Sequence, residues 1–178
     1  MTSCLKIILL TCAFALPLAA FAEDEVSAAT LTKIGQLAPD FSAATLTGEQ
    51  VTLSALRGKV VVLSFFATWC GPCQEELPHV EKNLWQGLRE KGLVVVGVDR
   101  EEPAKTVAPF VRKLGLTFPV IADADRAIYR RYATAYIPRT YVIARDGTIV
   151  FQSVGNNPDE FARLVAAVKA QLAPAATR

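Results

Sequence analysis

Residues 60–73 read Val60-Val61-Val62-Leu63-Ser64-Phe65-Phe66-Ala67-Thr68-Trp69-Cys70-Gly71-Pro72-Cys73, and this stretch decides the fold. Its first half is a continuous apolar run preceded by Gly58 and Lys59, the pattern of a strand buried on both faces. From Pro72 the apolar residues Leu77, Val80, Leu84 and Leu88 recur at intervals of three and four, which predicts a helix with one buried stripe to about Lys91. Pro72 suits the first turn, Pro78 is expected to bend the helix, and Gly92 ends it. Leu93 to Val98 is a second buried strand and Thr106 to Leu114 a second helix, so the order is β-α-β with a right-handed parallel crossover.

The cysteines stand where strand hands over to helix, the end at which open α/β sheets bind and react. Two cysteines three apart on a first helical turn share a face and meet the roughly 5.5 Å Cα separation of a disulfide. The free N–H groups and dipole of the helix favour negative charge on Cys70, which is expected to attack as a thiolate. Cys73, one turn deeper, is expected to resolve the mixed disulfide. A purely structural bridge fits poorly, because closing so short a loop removes little chain entropy. Zinc needs about four ligands, whereas the chain beyond residue 22 offers these two cysteines and His79. No metal or other cofactor is expected.

Working outward toward the N-terminus, residues 1–22 carry one base, Lys6, and no acid, then an apolar run from Ile7 to Ala20 and the ending Ala20-Phe21-Ala22. This is the pattern of a secretory signal peptide cut after Ala22. An uncleaved anchor is the alternative, against which stand Pro17 and a run shorter than the roughly 20 residues of a spanning helix. Cys4 and Cys12 fall in the discarded part, and Thr11 before Cys12 argues against a lipoprotein site. Residues 23–37, rich in Ala, Thr and Ser, read as a flexible arm, with one folded domain over 38–174. The 178-residue chain is 52% hydrophobic and 20% charged, enough for a core without staples. Losing Lys6 takes 19 bases against 17 acids to 18 against 17, a balance that gives no electrostatic case for nucleic acid or an anionic membrane. A monomer is expected.

The remaining elements are short. Phe41 to Leu46 and Val51 to Leu53, separated by Thr47, Gly48, Glu49 and Gln50, suggest a hairpin on the sheet's edge. Pro119 to Ala122 reads as a strand, Asp125 to Tyr132 as a short helix, and Thr140 to Ala144 with Thr148 to Val154 as an antiparallel pair turning at Asp146-Gly147. Phe161 to Leu172, opened by Pro158 and Asp159, is a closing helix. Arg100, Glu101, Glu102, Arg130 and Arg131 read as solvated faces without a role.

Val60 to Cys73 followed by Glu76, Leu77 and Pro78 resembles the thioredoxin superfamily. The export signal, the hairpin opening Ala38-Pro39-Asp40-Phe41 and the late segment Ile137-Pro138-Arg139-Thr140 are similar to its TlpA/ResA branch, the similarity covering about residues 38 to 172. Ser64 and Phe66 depart from that branch, which often has Asn and Trp there; the change is expected to alter packing rather than chemistry. The resemblance implies an α/β thioredoxin-like fold, a mixed central sheet flanked by helices with an added N-terminal β-hairpin. It also implies a cis bond between Ile137 and Pro138 opposite the cysteines, where a bare backbone edge could pair with a partner's extended segment. It further implies that Glu76 lies near the cysteines and tunes proton transfer, a role for which a partly buried carboxylate with raised pKa is suited. Trp69, Gly71 and Pro72 are expected to join Ile137 and Pro138 in contacting the partner, while His79 is read as a surface or boundary residue.

The resulting expectation is a periplasmic thiol-disulfide oxidoreductase that reduces disulfides in exported proteins, apocytochrome c among the substrate classes the branch implies, with electrons from a membrane thiol reductase. Gly71 and Pro72 place no charge or imidazole between the sulfurs, which favours reduction over strong oxidation. The rivals are an oxidase or isomerase, a copper-delivery module of the same fold, for which Met1 is the only methionine, and a peroxidase of the peroxiredoxin type.

Overall fold

The computed structural model describes residues 25–174, so the leader expected over 1–22 lies outside the described residues. In chain order the strands are β1 (Ser42–Ala44), β2 (Gln50–Thr52), β3 (Val60–Phe66), β4 (Leu93–Asp99), β5 (Val120–Ala122), β6 (Arg139–Ile143) and β7 (Ile149–Val154). The principal helices are α1 (Gly71–His79), α2 (Ala104–Leu114) and α3 (Pro158–Leu172).

β3 is buried at every residue because it is the middle strand of a five-stranded sheet ordered β5-β4-β3-β6-β7. It runs parallel to β4 and antiparallel to β6, so the sheet is mixed as expected. Alternate residues of the sheet feed two apolar layers. Val60, Val62 and Phe66 face Leu77, Val80, Leu84, Val107, Leu164 and Val168 of the helices, while Val61, Leu63 and Phe65 face Phe41, Leu53, Tyr129 and Tyr132. Both β-α-β crossovers advance in the same direction, so α1 and α2 pack on one face. The other face is covered by irregular chain, with Phe65 edge-on to Tyr129 and Tyr141 at ring separations of 5.4 and 5.9 Å.

The expected N-terminal hairpin is present: β1 and β2 form a two-stranded ladder of their own, tied to the edge strand β5 by the bond from the Leu46 N–H to the Val120 carbonyl at 2.8 Å. Other expectations are corrected. The helix begun by α1 keeps winding to Lys91, but through a π-helical turn at Val80–Trp85, and Gly92 at φ 92 ends it. The expected helix over 125–132 shrinks to a 3-10 turn at Tyr129–Arg131. The Asp123 carboxylate takes the N–H groups of Ile128 and Tyr129, and Arg126 stands at φ 61, which interrupts a helical ladder.

The flexible arm is the largest correction. Described chain begins at residue 25 and is packed long before Ala38: Ala29 and Thr32 are buried, Thr30 bridges to Ala133, and Leu37 bridges to Thr148. The Gly35 N–H donates to the Ile149 carbonyl and the Ile149 N–H to Gln36, so residues 35–37 run along the free edge of β7. Composition suggested disorder because backbone pairing leaves no trace in hydrophobic pattern.

Candidate active site

Cys70 is the N-cap of α1, and Pro72 occupies the first turn. The Cys73 N–H points at Cys70 Sγ from 3.2 Å, so the outer sulfur sits on a donor at the positive end of a helix dipole. The two sulfurs are joined in a disulfide of 2.11 Å with Cα atoms 5.3 Å apart. Cys70 keeps 5% of its surface and Cys73 none, which makes Cys70 the outer of the pair. Gly71 and Pro72 between them are exposed.

The Ile137–Pro138 peptide is cis, and the Ile137 carbonyl lies 3.9 Å from Cys70 Sγ. Pro138 is buried and Ile137 half-buried. The late segment and the cysteine pair, 67 residues apart in sequence, are thus brought together because β6 lies beside β3, with Thr140 opposite Ser64 and Arg139 opposite Phe65.

Glu76 is inside the protein, at 5% exposure, unlike its exposed neighbour Glu75. It lies one turn below Cys73 on the same face of α1. The Thr140 hydroxyl donates to Glu76 Oε1 at 2.8 Å. Burial pushes the carboxyl up from 4.5 to about 7, with the Thr140 hydrogen bond pulling the other way. A carboxyl poised there can hold or release a proton at neutral pH beneath the inner sulfur. Ser64, one of the two departures from the branch pattern, has a buried hydroxyl without a hydrogen-bond partner.

Trp69 is exposed at 58%. Its setting overturns the reading of Arg100, Glu101 and Glu102 as solvated faces. The Trp69 indole N–H donates to Glu101 at 3.1 Å, and the Arg100 guanidinium stands 5.7 Å from the Trp69 ring and 5.1 Å from the Tyr129 ring. The Thr68 N–H and hydroxyl both donate to the Glu102 carboxylate, at 2.6 and 2.8 Å. The fully buried Asp99 caps the turn by accepting from the N–H groups of Glu101 and Glu102; burial raises its pKa, against those hydrogen bonds and with help from the nearby Glu102 charge. The turn after β4 therefore grips the two residues leading into Cys70. No local pattern announced this, because the partners lie more than 30 residues apart and meet only where β3 and β4 end together at Phe66 and Asp99. His79 stays exposed, its ring 5.8 Å from that of Phe161.

Comparison with known proteins agrees with this geometry. Residues 34–152 match the model of the AhpC/TSA family. The thiol-disulfide oxidoreductase ResA of Bacillus anthracis is 36% identical over 128 residues, covering 72% of this chain and 73% of that protein. The ResA of Halalkalibacterium halodurans is 35% identical over 131 residues, covering 74% of each. Among solved structures, a putative protein disulfide isomerase from Bacteroides thetaiotaomicron superposes with a TM-score of 0.78 at 40% identity, covering 81% of this chain and 92% of that one. A putative thiol:disulfide interchange protein DsbE from Chlorobium tepidum gives 0.74 at 31% identity, covering 79% and 99%. With two sulfurs bonded at a helix start and relatives of this kind over most of its length, the chain belongs to the AhpC/TSA family of the thioredoxin superfamily and is a thiol-disulfide oxidoreductase.

Proposed function

We propose that the protein is exported to the periplasm and works there, as a monomer, to reduce disulfides in other exported proteins, apocytochrome c-type chains being one substrate class, and that a membrane thiol reductase returns it to the dithiol. The observation that carries the reading is the placement of Cys70 Sγ, on the Cys73 N–H and beside the Ile137 carbonyl. That carbonyl edge is where an extended partner segment would pair, with Trp69, Gly71 and Pro72 as the rest of the contact face.

In the dithiol form the Cys70 thiolate attacks one sulfur of the partner's disulfide; the mixed disulfide forms and the partner's other sulfur leaves as a thiolate and takes a proton. Glu76 accepts the proton of the Cys73 thiol, and the Cys73 thiolate attacks Cys70, closing the Cys70–Cys73 disulfide and expelling the partner's second thiolate, which takes a proton in turn. Glu76 hands the Cys73 proton on to the departing thiolate, and the partner's other proton comes from water, to which Cys70 gave its own on ionising; the partner thus gains two electrons and two protons, and this chain loses the same. A buried carboxyl near 7 suits this step, being ionised often enough to accept and protonated often enough to return the proton when the disulfide is reopened.

Equilibration with glutathione tests the direction. A potential of about −250 mV or lower supports a reductant, whereas a value near the −120 to −180 mV of oxidising catalysts overturns it. Peroxide consumption that survives Cys73→Ser would instead favour a peroxidase, and copper retained in stoichiometric amount would favour metal delivery.

A further inference from the structure

Arg139 directly follows Pro138, keeps 1% of its surface, and has no part in the chemistry above. Its Nε–H donates to the carbonyls of Ala135 at 2.9 Å and Tyr136 at 3.1 Å, and Nη1 donates to the Thr30 hydroxyl at 2.9 Å. Nη2 is buried without a hydrogen-bond partner, and among the described residues no carboxylate forms an ion pair with this guanidinium. Arginine cannot shed its charge, and burying one without a counterion is costly. What it does here is therefore something a neutral side chain could not, and its planar fork reaches two carbonyls on one side and a hydroxyl on the other.

The two things it joins are the loop over 132–137 and the N-terminal segment over 25–34. Tyr136 stands at φ 68, a left-handed conformation unusual for a bulky residue, and its carbonyl is held twice, by Arg139 and by the Tyr129 hydroxyl at 2.8 Å. Its ring is 41% exposed, and its hydroxyl donates to Glu25 at 3.0 Å. The Leu31 N–H donates to the Tyr132 carbonyl and the Thr134 N–H to Ala29, both at 2.9 Å. The next residue along, Ile137, carries the carbonyl beside Cys70 Sγ.

We propose that Arg139 is a positioning residue for partner docking: it locks the 132–137 loop against the N-terminal segment, so that the Ile137 edge and the Tyr136 ring meet an incoming polypeptide in one fixed conformation. The partner class this favours is an extended polypeptide around a disulfide, and not a small disulfide, which needs only Cys70. The proposal rests on docking at the Ile137 edge, as set out under the proposed function.

The test is steady-state reduction of insulin by the full chain with dithiothreitol as terminal reductant, beside a single-turnover reaction of the pre-reduced full chain, freed of dithiothreitol, with 5,5′-dithiobis(2-nitrobenzoate). Arg139→Met is expected to raise KM for insulin tenfold or more while kcat changes less than threefold, and to lower the second-order rate constant for the small disulfide no more than threefold. Arg139→Lys, whose single ammonium cannot span both sides, falls between, and Thr30→Val raises KM for insulin two- to fivefold; these two milder variants carry the test if the methionine variant does not fold. An unchanged KM, or insulin and small-disulfide rates that fall in step, overturns the proposal, as does a Thr30→Val protein identical to wild type. A wild-type protein that reduces the small disulfide and leaves insulin untouched overturns the functional reading itself, a result distinct from any failure of the variants.

Discussion

Replacing Glu76 with glutamine should make the oxidised protein more stable at alkaline pH and flatten its stability profile. The carboxyl titrates near 4.5 when solvated and at about 7 in the folded state, where it keeps 5% of its surface. Folding therefore holds a proton that the unfolded chain releases. That contribution is fully present below 4.5 and is lost as pH rises through about 7. The difference of about 2.5 units corresponds to about 3 kcal/mol of stability lost between pH 4.5 and 8, at about 1.4 kcal/mol per unit. The amide of glutamine fills the same volume and can still accept from the Thr140 hydroxyl, so most of the loss should vanish, leaving the variant about 1–3 kcal/mol more stable than wild type at pH 8 and close to it at pH 5. Urea unfolding of the disulfide form at pH 5, 6, 7 and 8 reads this directly. Asp99, whose pKa is also raised by burial, slopes both curves in the same sense, so the quantity that matters is the difference between them. Curves that stay parallel from pH 5 to 8 would refute a buried, upward-shifted Glu76. The same variant should slow closure of the Cys70–Cys73 disulfide by about a hundredfold, the ordinary scale of a lost general base.

Thr140→Val removes the one hydrogen bond that favours the charged carboxylate, so the Glu76 titration should move further up, by about one unit; following the carboxyl by infrared or carbon NMR checks it, and a downward move contradicts the hydrogen-bond assignment. Cys73→Ser should trap mixed disulfides on Cys70 that non-reducing electrophoresis reveals, whereas Cys70→Ser should trap almost none; equal trapping refutes the division of roles. Gly97→Ala should cost about 1–3 kcal/mol in urea unfolding, because the new methyl would stand 2.9 Å from the Phe118 ring and 3.3 Å from Phe66 and Val120; a neutral substitution would mean that this layer between β4 and β5 gives way easily.

What could be read without coordinates was whatever repeats along the chain. The apolar run of β3, the three-and-four spacing of Leu77, Val80, Leu84 and Leu88, and the turn at Asp146-Gly147 each state their element locally, and the cysteine spacing at the strand-to-helix junction states the chemistry. Glu76 was singled out only through resemblance, since nothing in its neighbourhood distinguishes it from Glu75; what buries one and exposes the other is the turn of α1 over β6. The cis bond before Pro138 was likewise legible only by resemblance. Arg100, Glu101 and Glu102 were misread because charge along a sequence implies solvent until a sheet end brings Thr68 and Trp69 within reach. The packing of residues 29–37 was missed for a related reason: it rests on backbone bonds to Tyr132, Thr134 and Ile149, and backbone donors look the same in every sequence.

That early segment joins the first described part of the chain to strands made last. Thr30 meets Ala133 and Leu37 meets Thr148, and the bond from Arg139 to Thr30 closes a span of 109 residues. A contact of such long range forms only after the intervening chain has been organised. A ribosome-bound polypeptide has the opening segment without its counterpart, so the fold cannot lock until nearly all of it has emerged. The molecule carries its own latch against maturing too soon, and the loop that latch secures is the one beside Cys70.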